Sequence, residues 1–458
     1  MLRPWDLQIV LERDLAMPAY LQIAHALIDA IRRGRLAPGS ALPGTRELAA
    51  RVGVNRKTIQ QSYDELVAQG WLTAEATRGT FVSAALPLVA EEAGPPVAGG
   101  RVAAFSTRRA APDLPVVLPP PGTLVFDDGA PDTRLMPAEL VARAYRRALL
   151  QGSRHNRLGY GDPRGSQMGI FLSARLLAQQ GDNVAIESLS YPPAREAFRA
   201  AGGKILSIGM DDQGMRVDRL EAACRAQEIR AVYVTPHHHF PTTVVMPPER
   251  RISLLALAEQ FGFVIVEDDY DHEFHFAHRP MLPLASAHGW GKLIYIGSLS
   301  KLLSPSLRIG YLVAAESVVS RAAAEIMMID RQGDPVTEAA AADIMTTGVL
   351  KSHARKVVRI YAERRECLAA ALERELGPKI EFSLPQGGLA LWVNFAPEVN
   401  LAALAASGLR HGVGLTPGQA FASNGEKIQG VRLGFGSMNE AELVEAVRRL
   451  KQALDEAG

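Results

Sequence analysis

Six short apolar runs recur through the middle of the chain with helix-like stretches between them, and this alternation restricts the fold more than any other feature. The runs are Asn183–Ile186, Lys204–Ile208, Ala231–Thr235, Phe263–Glu267, Lys292–Ile296 and Ile309–Val313. Strands separated by helical crossovers predict a mostly parallel sheet, buried on both faces. From about Asp334 the pattern changes to long helices followed by GGLALWVNF and GVRLGFGS. The expected layout is an α/β domain over 123–458, with a large part over 123–333 and a smaller C-terminal α+β part over 334–458.

The N-terminal stretch has a different period. Tyr20, Ile23, Ala24, Leu27, Ile28 and Ile31 recur at helical spacing, and Gly34 and Pro38-Gly39 end that helix. Leu42–Ala49 reads as a cap and a second short helix. Gly53-Val54-Asn55 reads as a tight turn. A third helix then opens at Asn55, with Ile59, Ser62, Tyr63, Leu66 and Val67 on its inner face. Arg78-Gly79-Thr80-Phe81-Val82 has the turn glycine and β-formers of a hairpin. This is a winged helix-turn-helix over 1–83, and its third helix suits the major groove of double-stranded DNA. The candidate DNA contacts are Arg46, Asn55, Arg56, Lys57, Thr58, Arg78 and Gly79. Residues 1–83 hold ten Lys/Arg and eight Asp/Glu, so binding to an operator needs a local basic face. Residues 84–122, with EEAGPPVAGG and LPPPG, read as a Pro/Ala/Gly-rich linker.

Chemistry concentrates around Lys301. It lies between apolar runs, three residues after Ser298 and seven before Arg308. Burial disfavours an ammonium, and a neutral amine forms a Schiff base with an aldehyde. A small hydroxyl and a planar cation suit a phosphate. An aldehyde and a phosphate on one molecule describe pyridoxal 5'-phosphate (PLP). Lys301 by itself fits an exposed lysine in a Ser-rich turn equally well. A second motif, VIVEDDYD, places Asp268 33 residues earlier. PLP chemistry needs such a carboxylate, which keeps the pyridine nitrogen protonated and makes the ring an electron sink.

Together the two motifs resemble fold-type I PLP enzymes, the aspartate aminotransferase class. The segment LPGTRELAARVGVNRKTIQQSYDELVAQGWL, with RGTFV after it, resembles the GntR winged helix-turn-helix family. A GntR reader followed by an aminotransferase-like domain resembles the MocR subfamily of bacterial regulators. The resemblance implies Lys301 as the Schiff-base lysine, Asp268 at the pyridine nitrogen, and Tyr270 at the ring hydroxyl. It implies Tyr191 on the ring face, and Ser298 and Arg308 on the phosphate. Ser166-Gln167 corresponds to a helix start that cradles phosphate. Tyr160 corresponds to a tyrosine offered to the neighbouring subunit, which implies a homodimer. Arg432 corresponds to a clamp on an amino-acid effector's carboxylate.

The chain departs from that pattern twice. In TPHHHFPTT, His239 stands where the family has glutamine and Thr243 where it has glycine, and glycine allows backbone freedom that threonine lacks. LGYGDPRG runs directly into SQMG, so one helix and one strand, about 25 residues, are missing near residue 165. Loss at a sheet edge is expected, because losing a central strand would not be survivable.

The function expected is a PLP-dependent regulator that senses PLP, or an amine or amino acid, through a Schiff base, with no turnover required. A working aminotransferase with an accessory DNA-binding domain is the first alternative. A DNA-binding protein whose large domain only dimerises is the second. The histidines at 237–239, 272, 275 and 278 lie near no cysteine, and no metal is assigned. Cys224 and Cys367 suit a reducing compartment. The acids in MLRPWDLQIVLERD run against a signal peptide, and no apolar run approaches a membrane span. The expected location is the cytoplasm.

Overall fold

The computed structural model describes residues 9–11, 17–75, 78–84, 86, 119–155, 169–276, 281–286, 290–423 and 425–457. Most of the expected linker lies outside these residues, as do Tyr160, Ser166, Gln167, His278 and the junction at residue 165. The chain divides into two units, Met1–Ala110 and Ala111–Gly458.

In the first unit, α1 (Ala19–Arg32), α2 (Thr45–Val52) and α3 (Arg56–Ala68) precede a hairpin of β1 (Leu72–Glu75) and β2 (Gly79–Val82). The periodic residues Ile23, Ala24, Leu27 and Ile31 bury one face of α1 against Leu48, Ile59, Tyr63 and Leu66. Asn55 caps α3, its side chain accepting from the Lys57 amide at 2.9 Å. Gly53, with φ 74°, ends α2 in the left-handed conformation that glycine adopts without strain. The inner face of α3 is one residue narrower than its sequence suggests, because Val67 is 38% exposed.

The second unit opens with β3 (Leu124–Val125) and α4 (Ala138–Arg154). An α/β series follows: α5 (Gly169–Leu177), β4 (Asn183–Glu187), α6 (Pro192–Ala200), β5 (Lys204–Ile208), the small hairpin β6 (Met210–Asp211) and β7 (Gly214–Met215), and α7 (Val217–Ala226). It continues with β8 (Ala231–Val234), α8 (Pro248–Phe261), β9 (Val264–Asp269), β10 (Leu293–Ser298) and β11 (Gly310–Val313). These form one six-stranded sheet in the order β11-β10-β9-β8-β4-β5. All neighbours are parallel except β11, which runs antiparallel to β10.

Strand alternation assigns the two faces. Ala231, Tyr233, Val266, Ile294 and Ile296 pack with Ala174 of α5 and Phe198 of α6. Val232, Val234, Ile265 and Leu293 pack with Leu220 of α7 and Leu254 of α8. Among the described residues β11 is an edge, and α5 follows the short junction directly to pack against β9, β10 and β11. A strand lost beside β11 would leave the six described strands in place.

The C-terminal part contains α9 (Glu316–Ile329), α10 (Pro335–Thr346), α11 (Val349–Leu376), β12 (Ile380–Phe382), β13 (Ala390–Phe395), α12 (Leu401–Arg410), β14 (Val413–Gly414), β15 (Thr416–Pro417), β16 (Gly430–Gly434) and α13 (Glu440–Ala457). The expected start of the large part at 123 needs correction. β3 pairs with β14, and Phe126 is buried in the C-terminal core with Leu372, Leu391, Val393 and Leu433. Asp132, 5% exposed, accepts from Arg364 of α11 at 2.8 Å. Apolar burial and a buried ion pair thus attach the 124–136 segment to the smaller part.

Candidate functional site

A cavity of about 800 Å³ opens at the carboxyl ends of the central strands, where parallel α/β sheets hold ligands. The parity of β9 turns Asp268 toward the α5/α6 face, together with Val266. There Tyr233 donates to Asp268 Oδ2 at 2.6 Å. Burial pushes the Asp268 carboxyl from an ordinary 3.8 up to about 7, with the Tyr233 hydrogen bond opposing it. The next residues along β9 face the other way. Glu267 accepts from the Leu284 and Ala285 amides, at 2.7 and 2.9 Å, and Tyr295 donates to Asp269 at 2.9 Å.

Lys301 follows β10 on the same wall as Asp268. Its Nζ lies 3.8 Å from Asp128 Oδ1. Asp128 was not singled out from sequence. It sits in a turn fixed by Asp127, whose Oδ1 accepts from the Gly129 and Ala130 amides at 2.8 and 2.7 Å. Tyr233 was also missed, although a tyrosine in the buried run AVYV needs a partner for its hydroxyl. Of the other expected residues, Ser298, Arg308, Tyr191 and Tyr270 line the same cavity, together with Ser300. Ser298 Oγ accepts from the Ser300 amide at 3.0 Å. Arg308 holds a left-handed conformation, φ 52° and ψ 44°, at the end of a short helical turn. Tyr270 donates to the His238 carbonyl at 3.0 Å.

These residues fit PLP. A buried carboxylate has, among the described residues, no cationic side chain hydrogen-bonded to it, an amine shares its cavity, and hydroxyls, a guanidinium and the first residues of α5 supply donors for a phosphate.

Arg432, expected as a clamp, lies directly behind the cavity wall, its Nη2 donating to the hydroxyl of cavity-lining Tyr270 at 3.5 Å. It is 2% exposed on β16, and its guanidinium is engaged by the Pro241 carbonyl at 2.8 Å and the Asp128 carbonyl at 3.3 Å. The Phe240 ring, itself a cavity wall, lies 4.8 Å from the guanidinium carbon. Buried carbonyls need donors, and Arg432 serves two of them while also reaching Tyr270. The departures in the 235–243 loop behave similarly. His239 is buried, bonded to the Leu189 carbonyl at 3.0 Å and to Thr242 at 2.7 Å. Thr243 is held at φ 63°, the strained conformation that glycine would avoid.

In the first unit Arg46, Asn55, Arg56, Lys57, Arg78 and Gly79 are exposed and Thr58 is half-buried. Arg56 Nε donates to Thr45 at the start of α2, at 3.1 Å. Arg78 pairs with Glu75 across the hairpin turn, at 2.9 Å. Gly79, at φ 108°, supplies a backbone conformation that other residues rarely adopt.

A parallel-rich sheet with a buried aspartate and a lysine at its carboxyl end, joined to a winged helix-turn-helix, defines a DNA-reading protein built on an aminotransferase fold. Residues 19–82 match the bacterial regulatory proteins of the gntR family, and residues 162–450 match aminotransferase class I and II. The chain belongs to the MocR-type transcriptional regulators of the GntR family. It is 30% identical over 469 residues to the HTH-type transcriptional regulator TauR of Rhodobacter capsulatus, covering 94% of this chain and 96% of that one. It is 28% identical to the probable rhizopine catabolism regulatory protein MocR of Rhizobium meliloti, covering 97% and 95%. Among solved structures, LysN, the α-aminoadipate aminotransferase of Thermus thermophilus in complex with N-(5'-phosphopyridoxyl)-L-leucine, is similar with a TM-score of 0.69. It is 27% identical and covers 74% of this chain and 93% of that one. No helix among the described residues is long and apolar enough to cross a membrane.

Proposed function

We propose that the second unit binds PLP, alone or joined to an amine or amino acid, and that its occupancy sets the affinity of the first unit for an operator in double-stranded DNA. The observation that carries this reading is the convergence of Asp268, Lys301, Ser298, Arg308 and Tyr191 on one cavity. PLP, when bound, supplies an aldehyde for an amine and a ring that draws electrons. Lys301 would anchor it covalently, Asp268 would hold the pyridine nitrogen protonated, and Ser298 and Arg308 would bind the phosphate. Tyr191 would cover the ring and limit water. A homodimer working in the cytoplasm suits a regulator of this type.

Coupling requires the ligand to bind two states of the protein unequally. The test is borohydride reduction with PLP added, followed by peptide mapping, alongside operator binding with and without PLP. The expected result is label on Lys301, none in Lys301→Ala, and operator affinity that responds to PLP only in the parent. Equal labelling of the variant would refute the anchoring residue. Labelling without any change in DNA affinity would refute sensing.

A further inference from the structure

His237 follows β8, and His272 and His275 follow β9. Because β8 and β9 are neighbours in the sheet, the two loops meet at its carboxyl edge. The His237 and His275 ring centroids lie 4.5 Å apart, and those of His237 and His272 lie 5.1 Å apart. Each ring brings one nitrogen within 4.8 Å of the other two. Zinc–imidazole bonds of about 2.0–2.1 Å place ligand nitrogens roughly 3.3 Å apart, so shifts of roughly an ångström close the three on one ion.

The surroundings suit ligation. Asp269 Oδ2 lies 2.9 Å from His272 Nδ1, so a carboxylate stands beside the ring as in metal sites, while Nδ1 itself makes no aligned hydrogen bond. The backbone of the second loop is fixed, with the Phe276 amide donating to the Gln386 carbonyl and the Gly388 amide to the Phe274 carbonyl, both at 2.8 Å. Hydrogen bonds among the rings satisfy only part of the cluster. His237 Nδ1, His272 Nδ1 and Asp269 Oδ1 are buried with no hydrogen-bond partner, which is costly for polar atoms. His237 is 2% exposed, whereas the His272 side chain is 34% exposed and gives access from solvent.

We propose that His237, His272 and His275 form a site for a divalent transition-metal ion of the zinc class, with water completing its coordination. Three imidazoles and no thiolate select zinc, cobalt or nickel over calcium and magnesium. The site departs from the sequence reading, which assigned no metal. His238 is not a member, since its Nδ1 is held by Asp271 at 2.8 Å. Zinc would join two loops that otherwise meet through side chains.

The test uses the full, untagged chain after chelator treatment, titrated with Zn(II) by calorimetry and with Co(II) by visible absorption. One ion per chain is expected, with the strong visible bands of low-coordinate Co(II). His272→Gln and His275→Gln should each weaken Zn(II) binding at least about tenfold. Both residues are partly exposed, so the metal-free variants should keep the parent's circular dichroism and urea midpoint. Absence of binding overturns the proposal. So does affinity that survives both substitutions, which would mark adventitious binding by surface histidines. Loss of metal-free stability in both variants, with Zn(II) affinity per folded chain unchanged, also overturns it by showing a structural role only.

Discussion

Replacing Asp268 with asparagine should make the PLP-free protein more stable and the PLP complex weaker. Burial raises this carboxyl from 3.8 to about 7, so the folded state holds the proton more tightly than the unfolded chain does. The sign follows from linkage. Stability is unaffected by this group below about pH 4, falls as pH rises through the interval to about 7, and bears the full cost above it. A rise from 3.8 to about 7 corresponds to about 4 kcal/mol. Asparagine carries no such cost, and its Oδ1 still accepts from Tyr233. Urea unfolding of PLP-free parent and Asp268→Asn should therefore coincide near pH 4 and separate by up to about 4 kcal/mol above neutrality. Comparing the two proteins cancels Glu267, which burial also pushes up to about 7. The same variant should bind PLP more weakly, because the pyridine nitrogen loses its charged partner. A difference between the proteins that does not vary with pH would refute the reasoning, as would a variant less stable throughout.

Arg46→Ala and Arg56→Ala should each weaken operator binding, and removing one phosphate-binding cation should lower the salt dependence of log K by about 0.9. Fluorescence anisotropy over a salt series measures both, with the PLP spectrum unchanged; unaltered affinity in both variants points to another surface. Thr243→Gly should raise the urea-unfolding free energy by about 1 kcal/mol, since φ 63° strains a β-branched residue and glycine's entropic cost offsets part of the gain. An unchanged or lower value would show that the loop holds no such strain.

Most of the second unit was legible because its strands are buried on both faces and read as continuous apolar runs. Lys204–Ile208 coincides with β5 from end to end. Asp268 and Lys301 were legible because paired spacing narrows chemistry. The surroundings of Arg432 were not legible for a physical reason. A sequence shows that an arginine lies on a strand, but not that the Pro241 and Asp128 carbonyls converge on it. The histidine cluster was hidden similarly, since His237 and His275 are 38 residues apart and meet only because β8 lies beside β9. Val67 misled because helical periodicity does not reveal where a core ends.

The attachment of residues 124–136 to the smaller part has a mechanical consequence. The linker does not enter the second unit through the six-stranded sheet. It enters at β3, which is hydrogen-bonded to β14 and backed by the Asp132–Arg364 pair. Residues 124–136 are thus held to the smaller subdomain. Any rotation of that subdomain over the cavity would carry residues 124–136 with it, even with the sheet held still.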